Sequence, residues 1–141
     1  MKLTFKNIFI IFLFNFIVSS TYEINFVSAN PFSMKDIITN IDNLEEQSIT
    51  GILTLPKGKS NQKFPLIIAA AGSKDWSSHH IEYLKMYNEM NIATLELQSF
   101  RSRGETSTVG SQNTVTIPMI ILDSYRALDE QIGRAACRER V

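Results

Sequence analysis

Hydrophobic and polar positions alternate most regularly between residues 47 and 55. Ile49, Gly51, Leu53 and Leu55 fall on one side, and Thr50, Ile52 and Thr54 on the other. A period of two predicts a strand, because successive side chains leave opposite faces of the pleat. Pro56-Lys57-Gly58 ends it. A shorter alternation from Glu23 to Val27 puts Ile24 and Phe26 on a common face and predicts a second strand. The stretch 28–46 is polar and carries Asn30-Pro31, Asn40, Asp42 and Asn43. It reads as connection, with one helical turn near Met34–Ile38.

Beyond a polar loop at 59–63 the pattern changes. Pro65 to Ala71 is continuously apolar, as in a parallel strand buried on both faces. Gly72-Ser73-Lys74-Asp75 interrupts it, and Ser77 or Ser78 can cap a helix running to Met90. Ile81, Leu84 and Tyr87, with Tyr83, Met86 and Met90, recur at helical spacing, and Asn91 suits a left-handed C-terminal position. Ile92 to Leu97 predicts a further strand, and 98–113 a loop rich in Ser, Thr, Gly and Arg. The last helix is predicted from about Thr116 to Gln131, with Pro118 in its first turn. Its buried stripe would be Ile117, Ile120, Ile121, Ser124, Ala127 and Leu128. Strand, helix, strand, helix with short connections implies βαβ crossovers and a parallel sheet. The two N-terminal strands would pair antiparallel at one edge.

The two ends of the chain have other patterns. Lys2 and Lys6 precede an apolar run from Ile8 to Phe14, then Asn15, Phe16-Ile17-Val18 and Ser19-Ser20. A charged start, a short apolar centre and small residues at Val18 and Ser20 describe a secretory signal peptide over 1–20. A second small-residue site, Val27-Ser28-Ala29, lies far from that centre. A membrane-spanning helix needs roughly 20 apolar residues, more than this run supplies. At the other end, 132–141 reads Ile-Gly-Arg-Ala-Ala-Cys-Arg-Glu-Arg-Val, where Gly133 and three arginines break the helical period. It looks like the translation of a sequencing-library adapter joined in frame, a tail foreign to the 21–131 domain.

Composition sharpens this division. The formal charge of zero averages unlike pieces. Setting aside two lysines at the start, and three arginines and one glutamate at the end, leaves nine basic and thirteen acidic residues. No basic stripe exists to neutralise phosphates, so nucleic acid is not an expected partner. The single cysteine, Cys137, lies in the tail, so an internal disulfide framework is excluded. Stability must come from packing, and about 110 residues make a small core of marginal stability.

Candidate chemistry concentrates after the continuous apolar strand. Open α/β sheets bind ligands at the C-terminal strand edge, where Gly72 and Ser73 fall. A glycine there can leave backbone N–H groups facing a crevice, as an oxyanion hole requires, although these residues also describe a plain strand-to-helix turn. One glycine makes neither a dinucleotide fingerprint nor a phosphate loop. His79-His80 cannot chelate jointly as i, i+4 pairs do, and no metal-ligand spacing stands out, so neither metal nor cofactor is expected. No G-x-S-x-G elbow surrounds Ser77, Ser78 or Ser99. Arg101-Ser-Arg103-Gly104 reads either as an anion site or as a solvated loop turning at Gly104. Trp76 would line a pocket or cover a helix end.

In order and spacing, these segments resemble the N-terminal half of the α/β-hydrolase superfamily, most closely its dienelactone hydrolase-like branch. The likeness covers roughly Ile49 to Glu130. It is carried by Gly51-Ile-Leu-Thr-Leu-Pro-Lys-Gly58, by Phe64-Pro-Leu-Ile-Ile before the glycine turn, and by Asn91-Ile-Ala-Thr-Leu95. Ser99-Phe100 and Arg103-Gly104 keep the family's D-S-F-x-x-R-G spacing, and Asp123-Ser-Tyr-Arg-Ala-Leu128 is similar to the helix before its nucleophile strand. Ala71 stands where the family often has His, and Gln98 where it has Asp. The resemblance implies a truncated α/β-hydrolase-like fold, with a mostly parallel sheet, antiparallel N-terminal edge strands and a preceding signal peptide. It makes the Ser73 backbone N–H, presented by the Gly72 turn, one oxyanion donor. Nucleophile, acid and His would all follow residue 131, in that chain order, so 21–131 would be a partial domain without a triad.

The expected function is that of an N-terminal fragment of an exported, periplasmic or extracellular hydrolase of small esters or lactones. The fragment itself would be inactive, and it would meet a membrane only through its signal segment. The alternative is a small exported non-enzymatic α/β binding domain. A cooperative thermal transition of 21–131 would favour that alternative.

Overall fold

The computed structural model describes residues 19–58 and 62–138, and the side chains as far as 130. The apolar centre of the signal segment lies outside the described residues. The first strand, β1, spans Ser20–Ala29, and α1 spans Met34–Thr39. A 3-10 turn, Ile41–Asn43, leads into β2, Glu46–Leu55. Then follow β3 (Leu66–Ala70), α2 (Ser78–Glu89), β4 (Ala93–Leu97) and α3 (Ile117–Arg138). The strands form one sheet in the order β1-β2-β4-β3.

The class is α/β, as the alternation of elements predicts. The sheet is mixed rather than mostly parallel: β1–β2 and β2–β4 are antiparallel, and only β3–β4 is parallel. Antiparallel β2 lies between β1 and β4, so it reverses direction against both neighbours. β1 is longer than its alternation suggests, pairing from Ser20↔Leu55 to Ala29↔Glu46. It therefore includes Ser20, the last residue of the expected signal peptide, and all of Val27-Ser28-Ala29. Ser28 and Ala29 are buried there.

Strand parity decides the core. Ile24, Phe26, Ile49, Leu95 and Leu97 point to one face and meet Ala127 of α3, with Leu53, Leu66 and Ile68 packed around them. A β-carbon on Gly51 would come within 2.8 Å of a Leu95 methyl carbon, so glycine lets β1, β2 and β4 close over this face. The opposite face carries Ile52, Thr54, Thr94 and Glu96, which join Ile81 and Leu84 of α2 around a cleft of about 420 Å3.

Three expectations need correction. β3 is half-buried, not buried on both faces, because it lies at the sheet margin with β4 as its neighbour. α3 presents Met119, Leu122, Asp123 and Ala127 inward, while Ile117 and Leu128 are exposed. The stripe is turned because Asp123, polar in sequence, has a buried ion-pair partner. α3 also continues past Gln131 and through Gly133 to Arg138. A single internal glycine costs a helix only about 1 kcal/mol, and the neighbouring Ala and Arg residues favour it.

Candidate functional site

The C-terminal ends of β3 and β4 meet at the turn that the sequence singles out. Gly72 accepts a hydrogen bond from the Asp75 amide at 2.9 Å, closing the turn Gly72-Ser73-Lys74-Asp75. Asp75 adopts φ 57°, a left-handed conformation that Asp tolerates better than most residues. Gly72 itself has no left-handed φ, and a β-carbon there would meet nothing within 4 Å. Its glycine thus leaves open space and is not demanded by the backbone. Gly72, Ser73 and Lys74 are exposed. The Ser73 carbonyl accepts from the Thr108 amide at 2.9 Å and from Ser107 Oγ at 3.1 Å. These bonds clamp the turn to the 104–116 loop through the Ser73 carbonyl and leave the Ser73 amide out.

Trp76 follows, and its indole donates to the Leu97 carbonyl at 2.9 Å. This fastens the start of α2 to the end of β4. Ser77 is the N-cap of α2, and its amide donates to His80 Nδ1 at 3.2 Å. Ser77 Oγ lies 2.9 Å from His79 Nδ1 and 3.1 Å from His80 Nδ1. A serine beside an imidazole is the contact a nucleophile–base pair uses. Here both rings reach back from the first helical turn, and no carboxylate is hydrogen-bonded to either among the described residues. The histidines therefore finish a helix end. His80 also meets Trp76 edge-on at 5.7 Å. Among the described residues no group of three or more His, Cys, Asp and Glu could hold a metal ion.

The Arg101–Arg103 loop resolves into two unlike arginines. Arg101 is exposed, and its Nε lies 3.8 Å from Asp75 Oδ2. Arg103 is buried against Asp123, whose side chain is fully buried. Its Nη1 and Nη2 donate to the two Asp123 oxygens at 2.8 and 3.0 Å. They also donate to the Ser99 and Ala29 carbonyls, and Nε donates to Asn30 Oδ1 at 2.7 Å. All five guanidinium donors are engaged, so Arg103 cannot serve as an anion site. Ser99 Oγ donates to Asp123 Oδ2 at 2.7 Å, which removes Ser99 as a nucleophile. Gly104 does turn the loop, at φ 74°.

Sequence reasoning did not group Asp75, Glu96 and Gln98, which lie together beside the turn. Gln98 Nε2 donates to Glu96 Oε1. Burial pushes the Glu96 carboxyl above its ordinary value; the Gln98 bond and the Arg101 charge oppose the shift, and the Asp75 charge adds to it. Asp75 Oδ1 and Gln98 Oε1 are both buried without a hydrogen-bond partner. The signal in the sequence was only two polar residues at the end of β4 and an Asp closing the turn after β3.

No protein-family model matches this chain, and no match was found among curated proteins.

Proposed function

We propose that the chain is the N-terminal part of an exported acyl hydrolase, of the dienelactone hydrolase-like kind, acting on a small ester or lactone. The observation that carries this reading is the exposed turn at the C-terminal end of β3. Its Ser73 carbonyl is tied to the 104–116 loop while the Ser73 amide is not. A backbone N–H presented at a strand end, with open space over Gly72, can stabilise the oxyanion of an acyl-transfer intermediate. The position also suits the missing parts. Beyond β3 no strand follows among those described. A further strand pairing parallel to β3 would end on the side of Gly72. The turn after it would bring a nucleophile elbow beside the Ser73 amide.

On this reading nucleophile, acid and His lie beyond residue 131, the signal segment directs export, and the chain alone does not turn over substrate. The reaction would use an activated Ser or Cys, a His base and the oxyanion donor, with no cofactor. Hydrolysis of p-nitrophenyl acetate by the longer gene product tests the assignment. Ser73→Pro removes the amide hydrogen at a turn position that accepts proline. It should lower kcat about 10²–10³-fold with little change in KM. Ser73→Ala keeps the amide and should leave kcat unaltered. Equal kcat in Ser73→Pro and the parent enzyme would remove Ser73 from the oxyanion role.

A further inference from the structure

The corner formed by Asp75, Glu96 and Gln98 makes demands that the chain does not meet. Gln98 is 5% exposed and Asp75 8% exposed, and each carries an oxygen that accepts from nothing. The other Asp75 oxygen has only the exposed Arg101 guanidinium, at 3.8 Å. Gln98 Nε2 and Oε1 belong to one planar amide, so Oε1 lies beside the Glu96 carboxyl that Nε2 contacts. The two residues that carry the partnerless oxygens both act on the Glu96 carboxyl, Gln98 through its amide and Asp75 through its charge. A buried acceptor without a donor costs about 1–3 kcal/mol, so a fold that retains two is poised for a donor.

We propose that this corner binds a positively charged N–H group, an alkylammonium or guanidinium, of a small molecule. Such groups bring three to five donors and no acceptor, which matches a corner of oxygens. Two carboxyl groups of like charge supply the counter-charge. Burial raises the Glu96 carboxyl, and a cation bound beside it would act against that shift, as the Arg101 charge does. Arg101 is the chain's own weak substitute, attached by a long exposed side chain. The site does not depend on the acyl-hydrolase reading. Should that reading hold, the corner lies beside Ser73 and selects acyl substrates that carry a cationic group.

Trp76 is the chain's single tryptophan and is bonded to Leu97 between Asp75 and α2. Its emission is the readout. Methylammonium and methylguanidinium chloride are titrated into the full chain at constant ionic strength. Tetramethylammonium supplies charge without N–H, and N-methylurea supplies N–H without charge. One or both of the first two should give a saturable change at about millimolar concentration, as befits ligands of a few atoms. The last two should give none. Gln98→Met and Asp75→Asn should each weaken binding at least tenfold. Asn keeps the left-handed turn, so the second change spares the backbone. Arg101→Ala should tighten binding, an effect that general loss of structure cannot produce. Absence of saturation, an equal response to N-methylurea, or affinities unmoved by Gln98→Met and Asp75→Asn would overturn the proposal, the corner then being filled by water alone.

Discussion

Arg103 and Asp123 show how a single side-chain pair organises this chain. They join the end of β1, the turn after β4 and the inner face of α3 through one bidentate contact. Removing one partner of a buried pair strands the other charge, which costs about 3–5 kcal/mol. A domain of this size has total stability of about 5–15 kcal/mol. Arg103→Ala should therefore remove a large fraction of the stability read from urea unfolding, whereas Arg103→Met with Asp123→Leu should recover a good part of the loss. Gly51→Ala would force a methyl group onto Leu95 and Ile24. It should lower stability by about 1–3 kcal/mol in a thermal melt. Glu96 gives a pH signature. Its carboxyl is raised by burial, so the native state holds the proton more tightly than the unfolded chain does. Stability should rise as pH falls towards the ordinary glutamate value, and fall as pH rises through the raised one. Glu96→Gln should abolish that component. Asp36 works in the opposite sense: bonds from Ser33 hold its carboxyl low, and its contribution fades only at more acidic pH. Comparing urea midpoints of the two proteins from about pH 7 to pH 5 isolates Glu96. Residue types alone could not reveal these roles. Asp123 and Arg103 are 20 positions apart, and nothing local in the sequence marks either as buried.

At the level of elements, apolar pattern located the four strands and the two longer helices, because parity and helical spacing are imposed by which face meets the core. It failed where tertiary contacts override polarity. The α3 stripe is turned because a buried Asp123 replaces an apolar residue. β3 was expected to be covered on both sides because its apolar run is continuous, yet it has β4 on one side and no strand on the other among those described. α1 was expected only as a turn. Its start is a Ser33–Asp36 capping box, with the Ser33 amide 2.7 Å from Asp36 Oδ2, and that S-x-x-D spacing was legible in the sequence. Hydrogen exchange follows from this layout. Amides of central β4 should exchange slowest, and those β3 amides directed away from β4 should exchange quickly. Uniform protection across β3 would mean that a second chain covers the margin.

For the whole molecule, a mixed sheet packed by α2 on one face and α3 on the other leaves one margin formed by a half-buried apolar strand. Such a margin can pair with another copy. The chain should therefore self-associate as its concentration rises, and Ile67→Lys, on the margin strand, should reduce this in sedimentation. The fold class was legible from the alternation of elements. The site was legible only as a glycine turn, because the cation corner depends on side chains that converge from the turn, from β4 and from the residue after it. The central claim is that a nucleophile strand pairs beside β3 and ends next to Ser73. Reading the coding sequence downstream of codon 131 in the source genome tests it most directly. An apolar strand running into G-x-S-x-G or G-x-C-x-G within roughly 20 residues is the predicted result. A continuation that lacks such an elbow would contradict it.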